Sequence, residues 1–221
     1  MARKTKAEAA VTREQLLDAA ERVFSERGVA STTLGEVAAA AGVTRGAVYW
    51  HFRDKGDLLG ALCERATLPL HAVFEDREGR AGVDPLGVVR GQAVGALTLL
   101  ARDPHTQAVF RMAAQACGNA DDLGALAEAR DQERCGCLER SGALIERAIA
   151  LGQLPADTDA SLAAHALHAY IMGLMHAWLQ APQGFDLAAA APALVDCVIT
   201  GLVAAPPRRA TTAAANLHTA D

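Results

Sequence analysis

Apolar residues recur at helical spacing along most of this chain, and the alternating pattern of a half-buried strand is scarce. The first apolar stripe lies within residues 16–24, and Gly28 is expected to end its helix. Thr12, with Gln15 three residues later, matches the capping box that starts a helix. The pattern therefore predicts a first helix between Thr12 and Gly28.

Residues 31–56 predict two short helices joined by a tight turn. Thr33 and Glu36 form a second capping-box pair, so a helix is expected to begin there. Its apolar face ends at Gly42, because glycine accepts the left-handed conformation that closes a helix. Thr44 is then expected to cap a helix over residues 45–51.

The second of these helices predicts an outward face of unusual composition. With Val48 turned inward, Gly46 and Trp50 lie on the opposite side, flanked by Ala47 and Tyr49. A short helix that exposes arginine, glycine, tyrosine, tryptophan and histidine is a poor core element and suits the major groove of DNA. The two helices are therefore interpreted as a helix-turn-helix, with residues 45–51 as the recognition helix.

A longer helix, residues 54–78, is expected to link this head to a larger body, with a kink or a break at Pro69. Asp84 and Asp103 each precede a proline and mark two further helix starts. Five body helices are predicted, over residues 85–102, 104–118, 121–152, 157–180 and 185–204.

These elements predict an all-α fold with an N-terminal three-helix head and a larger helical body. Residues 1–56 are assigned to a basic arm and the helix-turn-helix head, and residues 57–205 to the body, with the linker helix at 57–78. Residues 206–221 have little apolar content and are expected to be a disordered tail.

Charge is distributed unevenly between the two parts. The chain has 221 residues and a net charge of −5, yet residues 1–56 hold nine basic and seven acidic residues, which leaves −7 for the remainder. A mildly basic head on an acidic body suits DNA contact at one end. Without an uninterrupted run of 18 apolar residues or a signal-peptide core, we expect a cytoplasmic protein with no membrane partner and reduced cysteines.

The helix predicted over residues 157–180 is apolar nearly all round, and the last helix has the same character. A helix that is apolar on every side must be buried on every side. One natural solution is a homodimer in which these two helices form a four-helix bundle across a two-fold axis. Two recognition helices about 34–36 Å apart would then meet successive major grooves of a pseudo-palindromic, double-stranded DNA operator.

One segment carries a specific resemblance. TTLGEVAAAAGVTRGAVYWHFRDKGDLL resembles the DNA-binding domain of the TetR family of repressors, and the opening MARKTKAEAAVTREQLLDAAERVFSERGVASTTL is similar to its AcrR/TtgR-like branch, local repressors of multidrug efflux pumps. The resemblance implies that the body is a ligand-binding and dimerisation domain. It also implies release from the operator when a small hydrophobic or amphipathic inducer binds there. No cofactor is implied.

The DNA-contacting residues are expected to divide by chemistry. Arg45 is the candidate for a bidentate bond to guanine, and Gly46 permits close approach of the backbone. Ala47 or Trp50 would meet a thymine methyl group, although a packing role for Trp50 stays open. The candidates for phosphate contacts are Thr33, Thr44, Tyr49, His51 and Lys55.

The family pattern implies a pocket lined from four body helices, in which methionine adapts its shape and an aromatic ring stacks on the ligand. The branch often carries polar side chains near Phe110 and Ala114, so polar anchoring here is expected to shift to His168 or His176. The candidate ligand-binding residues are Val89, Ala93, Ala96, Phe110, Ala114, Cys137, Ser141, His168, Ile171, Met172 and His176.

Several alternatives remain at this stage. The stripe His165, His168 and His176 allows a metal site, a buried polar seam or a ligand-pocket role, and no metal ligand set is assigned. Cys135 and Cys137 point in nearly opposite directions on a helix, and a thiol-based switch stays open. No nucleophile elbow, phosphate loop or metal-binding helix motif supports an enzyme, and the acidic body counts against an architectural DNA binder. The same fold sensing a fatty acyl metabolite or a thiol-reactive agent is the narrower alternative.

Overall fold

The computed structural model describes residues 6–75, 81–116 and 124–209, and over these residues the chain forms nine α-helices and no β-strand. The predicted all-α class is therefore confirmed. The helices are α1 Lys6–Arg27, α2 Leu34–Ala40, α3 Arg45–His51, α4 Lys55–Glu75, α5 Pro85–Arg102, α6 Pro104–Ala116, α7 Gly124–Ala150, α8 Ala160–Gln180 and α9 Leu187–Ala204.

Helix α1 begins earlier than its capping pattern predicts. Thr12 lies inside the helix, where its hydroxyl donates to the carbonyl of Glu8 at 2.9 Å instead of capping a helix start. The prediction from Thr12 was wrong because the preceding residues, rich in alanine, lysine and glutamate, have high helix propensity and extend the helix backwards. Its end is as expected, since Gly28 follows with a φ of +79°.

Helices α2 and α3 are set by the caps that the sequence predicts. The Thr33 hydroxyl accepts from the Glu36 amide at 3.2 Å, and the Glu36 carboxylate accepts from the Thr33 amide at 2.8 Å. The Glu36 carboxylate also accepts from the Thr33 hydroxyl at 2.9 Å, and the two bonds to this carboxylate, the one from the backbone amide first, lower the pKa of Glu36. At α3, the Thr44 hydroxyl accepts from the Ala47 amide at 3.2 Å. Gly42, with a φ of +70°, makes the turn between the two helices.

The core of the head extends into the body. One cluster of buried side chains joins residues of α1, α2, α3 and α4, with Phe24, Val37 and Val48 among its most buried members. Val109 and Met112 of α6 belong to the same cluster and are 0% and 4% exposed. Helix α6 therefore packs on the head as well as on the body.

The body helices agree with the sequence apart from their ends. Helix α4 continues through Pro69 to Glu75 and does not end at the proline. Asp103 closes α5 and opens α6, because its carboxylate accepts from the amides of His105 and Thr106. Its pKa is lowered, first by the hydrogen bond from the Thr106 hydroxyl. Helix α8 begins at Ala160 with Asp159 as its N-cap.

Residues 206–209 remain in contact with the body. Pro206 is buried, the Asp159 amide donates to the Pro207 carbonyl at 2.7 Å, and the Arg209 amide donates to the Asp157 carbonyl at 2.9 Å. Arg208 also forms an ion pair with Asp157. Residues 206–209 are thus paired with the turn before α8, which differs from the tail expected there. The rest of the expected tail, residues 210–221, and arm residues 1–5 lie outside the described residues.

Helix α9 is long and apolar enough, by length and composition, to cross a membrane, and only 22% of it is buried within the chain. In this fold it lies against α5, with an ion pair between Asp196 in its middle and Arg90 of α5. Its buried side joins Leu187, Ala191 and Val195 to the body core. The opposite side is left open.

Candidate functional site

The recognition helix α3 has the orientation that the sequence predicts. Val48 is fully buried, whereas Tyr49 and Trp50 are 53% and 72% exposed. Arg45 and Gly46 are exposed on the same helix, and Ala47 is half-buried beside them. The predicted base-reading side chains therefore share one accessible surface at the end of the head.

Arg45 lies across helix α2 at Gly35. A Cβ atom added at Gly35 would stand 3.0 Å from Nε of Arg45 and 3.6 Å from the guanidinium carbon. The missing side chain at Gly35 is thus what allows the Arg45 side chain to lie against this helix. Gly35 is not among the residues that the sequence singled out, because its role depends on a contact between two helices.

Gly35→Ala is expected to strengthen the head and weaken its binding to DNA. Alanine is favoured over glycine in a helix by about 0.5–1 kcal/mol, so the unfolding temperature should rise slightly. The added methyl group shifts Arg45 in both subunits without removing it, and operator affinity should fall by about fivefold, less than the loss of about thirtyfold or more expected when both bidentate arginine–guanine pairs are removed. Fluorescence anisotropy measures the affinity.

The matched control for this change is the same substitution in an Arg45→Ala background. There the added methyl group has no guanidinium to displace, so Gly35→Ala should leave operator affinity unchanged. An equal loss in both backgrounds would show that Gly35 acts on DNA binding by another route.

The predicted phosphate-contacting residues are held by the head itself. Lys55 directs its ammonium group at the carbonyls of Val29 and Ala30, at 3.4 and 3.2 Å, which ties the start of α4 to the loop after α1. Thr33 and Thr44 serve as N-caps. The ring of His51 meets Trp50 edge-on, with centroids 4.5 Å apart. Their roles on DNA remain predictions, but their positions around α3 are fixed by these contacts.

Two basic residues near α3 were missed by the sequence reasoning. Arg53 follows the helix with a side chain that is 74% exposed. Arg13 of α1 lies over the ring of Phe52, the C-cap of α3, with 5.5 Å from the guanidinium carbon to the ring centroid. Such a cation–π contact fixes a positive charge beside the recognition helix, where phosphates would lie. For Arg53, proximity to α3 in sequence was an available signal.

The structure brings together only part of the predicted ligand site. Val89, Ala93 and Ile171 are buried in one cluster of α5, α8 and α9, and Phe110 and Met172 pack against it. His176 instead lies on the exposed side of α8. The remaining predicted residues are half-buried, namely Ala96, Ala114, Cys137, Ser141 and His168.

His168 has a lowered pKa. Burial is the main cause, and the charges of Arg134 and His165 add to it. The imidazole is therefore kept neutral at pH 7, as a hydrogen-bonding group rather than a cation. Over the described residues, no group of three or more histidine, cysteine, aspartate or glutamate side chains is arranged to hold a metal ion.

A polar network connects the head to α6. Nδ1 of His105 on α6 lies 2.6 Å from a carboxylate oxygen of Glu21 on α1. The guanidinium of Arg65 on α4 donates to the same carboxylate at 3.0 Å and to Asp18 and Glu14 at 2.7 and 3.3 Å. Burial alone would lower the pKa of Arg65, but these acidic partners raise it. Glu21 is thus shared between the linker helix and the body.

Helix α8 exposes a continuous face without acidic or basic side chains other than histidine. Its positions repeat at helical spacing, and they are Leu162, His165, Ala166, Ala169, Gly173, His176 and Ala177. Helix α9 exposes a similar face, made of Ala189, Pro192, Ala193, Cys197, Thr200, Gly201, Val203 and Ala204, with the Arg90-paired Asp196 half-buried beside it. Exposed surfaces of this composition are typical of protein–protein contacts.

Gly173 and Gly201 lie inside these two helices with open space around them. A Cβ atom added at either position would meet no described atom within 4 Å. Packing within the chain therefore does not require glycine there, although glycine weakens a helix by about 0.5–1 kcal/mol. Close approach of another backbone is the physical reason that fits both positions.

Comparison with known proteins shows which proteins this chain is similar to. A family model described as bacterial regulatory proteins, tetR family, matches residues 16–62, and one for the C-terminal region of MAATS-type transcriptional repressors matches residues 84–203. The HTH-type transcriptional regulator TtgR of Pseudomonas putida is 38% identical over 187 residues, which cover 85% of this chain and 89% of the relative.

Solved structures agree with the sequence matches. NalD, the secondary repressor of the MexAB-OprM multidrug efflux pump in Pseudomonas aeruginosa, superposes with a TM-score of 0.79 at 32% identity, covering 90% of this chain and 98% of NalD. The SmeT–triclosan complex gives a TM-score of 0.75 at 34% identity, covering 87% and 92%. The chain belongs to the TetR family of bacterial transcriptional regulators.

Proposed function

We propose that this protein is a cytoplasmic, homodimeric repressor of a multidrug efflux operon, released from its operator by a hydrophobic or aromatic compound. The observation that carries the proposal is the exposed face of α3, in a chain 38% identical to TtgR and built like the efflux-pump repressor NalD. The body supplies the inducer site and the dimer contact.

On DNA, the two copies of α3 enter successive major grooves of a pseudo-palindrome, about 34–36 Å apart. Arg45 bonds a guanine, and Gly46 lets the backbone approach the base edges. Around them, Thr33, Thr44, Tyr49, His51 and Lys55 contact phosphates and set the register, together with Arg53 and Arg13.

The dimer forms through the exposed faces of α8 and α9. Apart from Asp196, which is paired with Arg90, these faces lack acidic and basic side chains that would resist burial, and each contains a glycine where a neighbouring backbone fits closely. Four helices then pack across the two-fold axis, and the open side of α9 becomes buried.

The inducer binds at the apolar cluster of α5, α8 and α9, against which Phe110 of α6 packs. Val89, Ala93, Phe110, Ile171 and Met172 supply an adaptable apolar wall. The half-buried imidazole of His168 provides a neutral hydrogen-bonding group. A small hydrophobic compound comparable with the triclosan of the SmeT complex suits these groups.

Helix α6 contacts both the inducer cluster and the head, which supports a physical route by which inducer binding affects DNA binding. Phe110 packs against the inducer cluster, whereas Val109 and Met112 on the same helix pack inside the head. His105, near the start of α6, contacts Glu21, which Arg65 also holds. A displacement of Phe110 by inducer therefore moves α6 against the head and shifts the population towards dimers whose recognition helices are wrongly spaced.

A gel shift tests the proposal. The purified protein should retain the DNA upstream of a neighbouring efflux operon at least about 10³-fold better than a random duplex of equal length. An aromatic antimicrobial such as triclosan should release that DNA. Equal retention of both duplexes as the salt concentration rises would contradict specific repression, and retention that no hydrophobic compound reverses would contradict induction.

Calorimetric titration tests the release step. Because coupling is reciprocal, the inducer must bind the free protein more tightly than the operator complex. Glu21→Gln removes the charge shared by Arg65 and His105 and should bring the two affinities closer together. Glu26→Gln, at an exposed acidic residue on the same helix, is the control and should leave the difference between the two inducer affinities unchanged. Equal inducer affinity for both forms of the wild-type protein would contradict the mechanism.

A further inference from the structure

Two histidines lie on the exposed face of α8 that the proposed dimer buries. His165 and His176 are both exposed on this face. Residues three or four positions apart are neighbours on a helix surface. His176 is three residues from Gly173, and His165 is four residues from Ala169. A second subunit that packs closely on the small residues of this face therefore covers imidazole rings as well.

Neither imidazole has an acidic partner among the described residues. Nδ1 of His165 lies 2.8 Å from the Ser161 carbonyl. Because a carbonyl only accepts, Nδ1 carries the hydrogen, and protonation adds a second hydrogen at Nε2. The ion pairs of the described residues include none at His165 or His176. A proton taken up by either ring therefore adds an unpaired positive charge to the face.

The acidic side chains of α8, α9 and their caps are engaged elsewhere. Asp159 and Asp186 are the N-caps of the two helices, and each accepts from a backbone amide at 3.0 Å. Asp196 in the middle of α9 pairs with Arg90 of α5. The other titratable side chains of these helices, apart from histidine, are uncharged when protonated, namely Tyr170 and Cys197. A second copy with the same two faces thus brings no uncommitted carboxylate from the described part of these helices.

Helices α7 and α6, which also pack against α8, supply no compensating acid in their described parts. Asp131 pairs with Arg134 on α7. Glu139 and Glu146 are exposed on the same helix and make no described hydrogen bond or ion pair with α8. On α6, Arg111 is a further basic group. The surroundings of the two histidines therefore favour neutral rings once water is excluded.

His168 shows what burial does to an imidazole on this helix. Its pKa is lowered, first by burial and then by the charges of Arg134 and His165. Half-burial by the chain's own helices is thus enough to favour the neutral ring. A second subunit would impose the same condition on the two histidines that a single chain leaves in water.

We infer that His165 and His176 make the dimer sensitive to pH, because their imidazoles are neutral where the α8 and α9 faces meet and their protonation separates the subunits and releases the operator. The inference rests on the proposed function, since it requires the dimer to form through these faces. It adds the proton as a second effector, which acts at the dimer contact and not at the inducer cluster.

The direction of the effect follows from the form that each state prefers. The dimer favours neutral rings and the separate subunits accept either form, so association is strongest above the range in which histidine titrates and weakens as pH falls through it. An imidazole of ordinary pKa, about 6.5, that stays neutral in the dimer raises the dissociation constant about tenfold between pH 7.5 and 5.5. One such ring per subunit gives about 10²-fold for the dimer, and two give about 10⁴-fold.

The overall charge of the chain predicts the opposite trend. Its net charge is −5 at pH 7, so acidification reduces the repulsion between two subunits and by itself would favour association. Dissociation at acidic pH must therefore come from particular groups at the contact.

Sedimentation velocity of the full-length protein at pH 7.5 and 5.5, without DNA or inducer, tests the inference. The dissociation constant of the dimer should be about 10²-fold or more higher at pH 5.5. Circular dichroism at both pH values should show the same helical content. At limiting protein concentration, operator affinity measured by fluorescence anisotropy should fall with the dimer.

Glutamine variants identify the groups responsible. The double variant His165→Gln, His176→Gln keeps polar side chains at exposed positions but cannot take up protons there. Its dissociation constant should change by less than about threefold between the two pH values, because no imidazole remains on the face. His105→Gln, on α6 in the contact with Glu21 of the head, is the matched control and should keep the full pH effect on the dimer.

The outcomes separate this pH effect from repression itself. A wild-type protein that is monomeric at pH 7.5 would contradict the dimer of the proposed function. A dimer whose dissociation constant does not rise at pH 5.5, or a double variant that dissociates as far as the wild type, overturns the inference while repression stands. Acid dissociation that persists in His105→Gln and disappears in the double variant supports it.

Discussion

Replacing Arg45 with alanine is expected to weaken operator binding by at least about thirtyfold. Each bidentate arginine–guanine pair contributes about 1–3 kcal/mol of discrimination, and the dimer carries two copies, which gives about 2–6 kcal/mol. The Arg45 side chain is exposed, so the free energy of unfolding should change by no more than about 0.5 kcal/mol. Fluorescence anisotropy on the operator and on a duplex with the guanine changed measures both affinities.

Two matched arginine variants separate base reading from general charge. Arg53→Ala removes a predicted phosphate contact, so affinity should fall for all sequences alike, with a shallower salt dependence by about one unit per subunit. Arg209→Ala removes an exposed arginine from the body, far along the chain from α3, and should have little effect. If Arg45→Ala behaved as Arg53→Ala does, Arg45 would not be a base-reading residue.

Gly173→Glu is expected to prevent dimer formation and, with it, tight DNA binding. The new side chain has open space within its own subunit, so the helical content should remain. In the dimer it would bring a carboxylate from each subunit into an apolar contact, where burial of unpaired charge is costly. A monomer binds one half-site without a linked second head, so operator affinity should fall by about 10²-fold or more.

Sedimentation velocity measures the oligomeric state for this prediction. Ala143→Glu places the same charge on an exposed position of α7 and serves as the control, which should remain dimeric. Gly173→Ala is a milder variant, because it stabilises the helix while adding only one methyl group to the dimer contact. A dimer of wild-type affinity in the Gly173→Glu protein would show that α8 is not the interface.

The head was largely predictable because its signals are local. The capping box at Thr33, the cap at Thr44 and the positive φ of Gly42 all depend on residues within four positions of one another. The start of α1 was not predicted, since Thr12 satisfies its hydroxyl inside a helix as well as it would at a helix start. Local sequence patterns therefore predict the presence of a helix better than the residues at which it begins and ends.

Contacts between distant segments were beyond the sequence. The pairing of residues 207–209 with the turn before α8 joins segments about fifty positions apart, whereas the low apolar content of residues 206–221 had suggested a tail. The same limit applies to Gly35 under Arg45 and to Arg13 over Phe52. The outward face of α3 was predictable from helical periodicity, but the side chains that support it were not.

The body site shows the same limit in another form. The sequence indicated that α8 is apolar nearly all round, yet it did not say which side faces the chain's own core. Ile171 and Met175 face inward, whereas His176 lies on the open side with Gly173. That assignment depends on where α5, α7 and α9 pack against α8, which periodicity alone does not contain.

The insertion of Val109 and Met112 into the head has a consequence for how such regulators are recombined. A head taken from another member of the family and joined to this body would meet two side chains shaped for a different cavity. A hybrid joined at the boundary between head and linker helix would therefore separate residues that share one hydrophobic core. A functional hybrid should take the α6 segment that contains Val109 and Met112 from the same protein as its head.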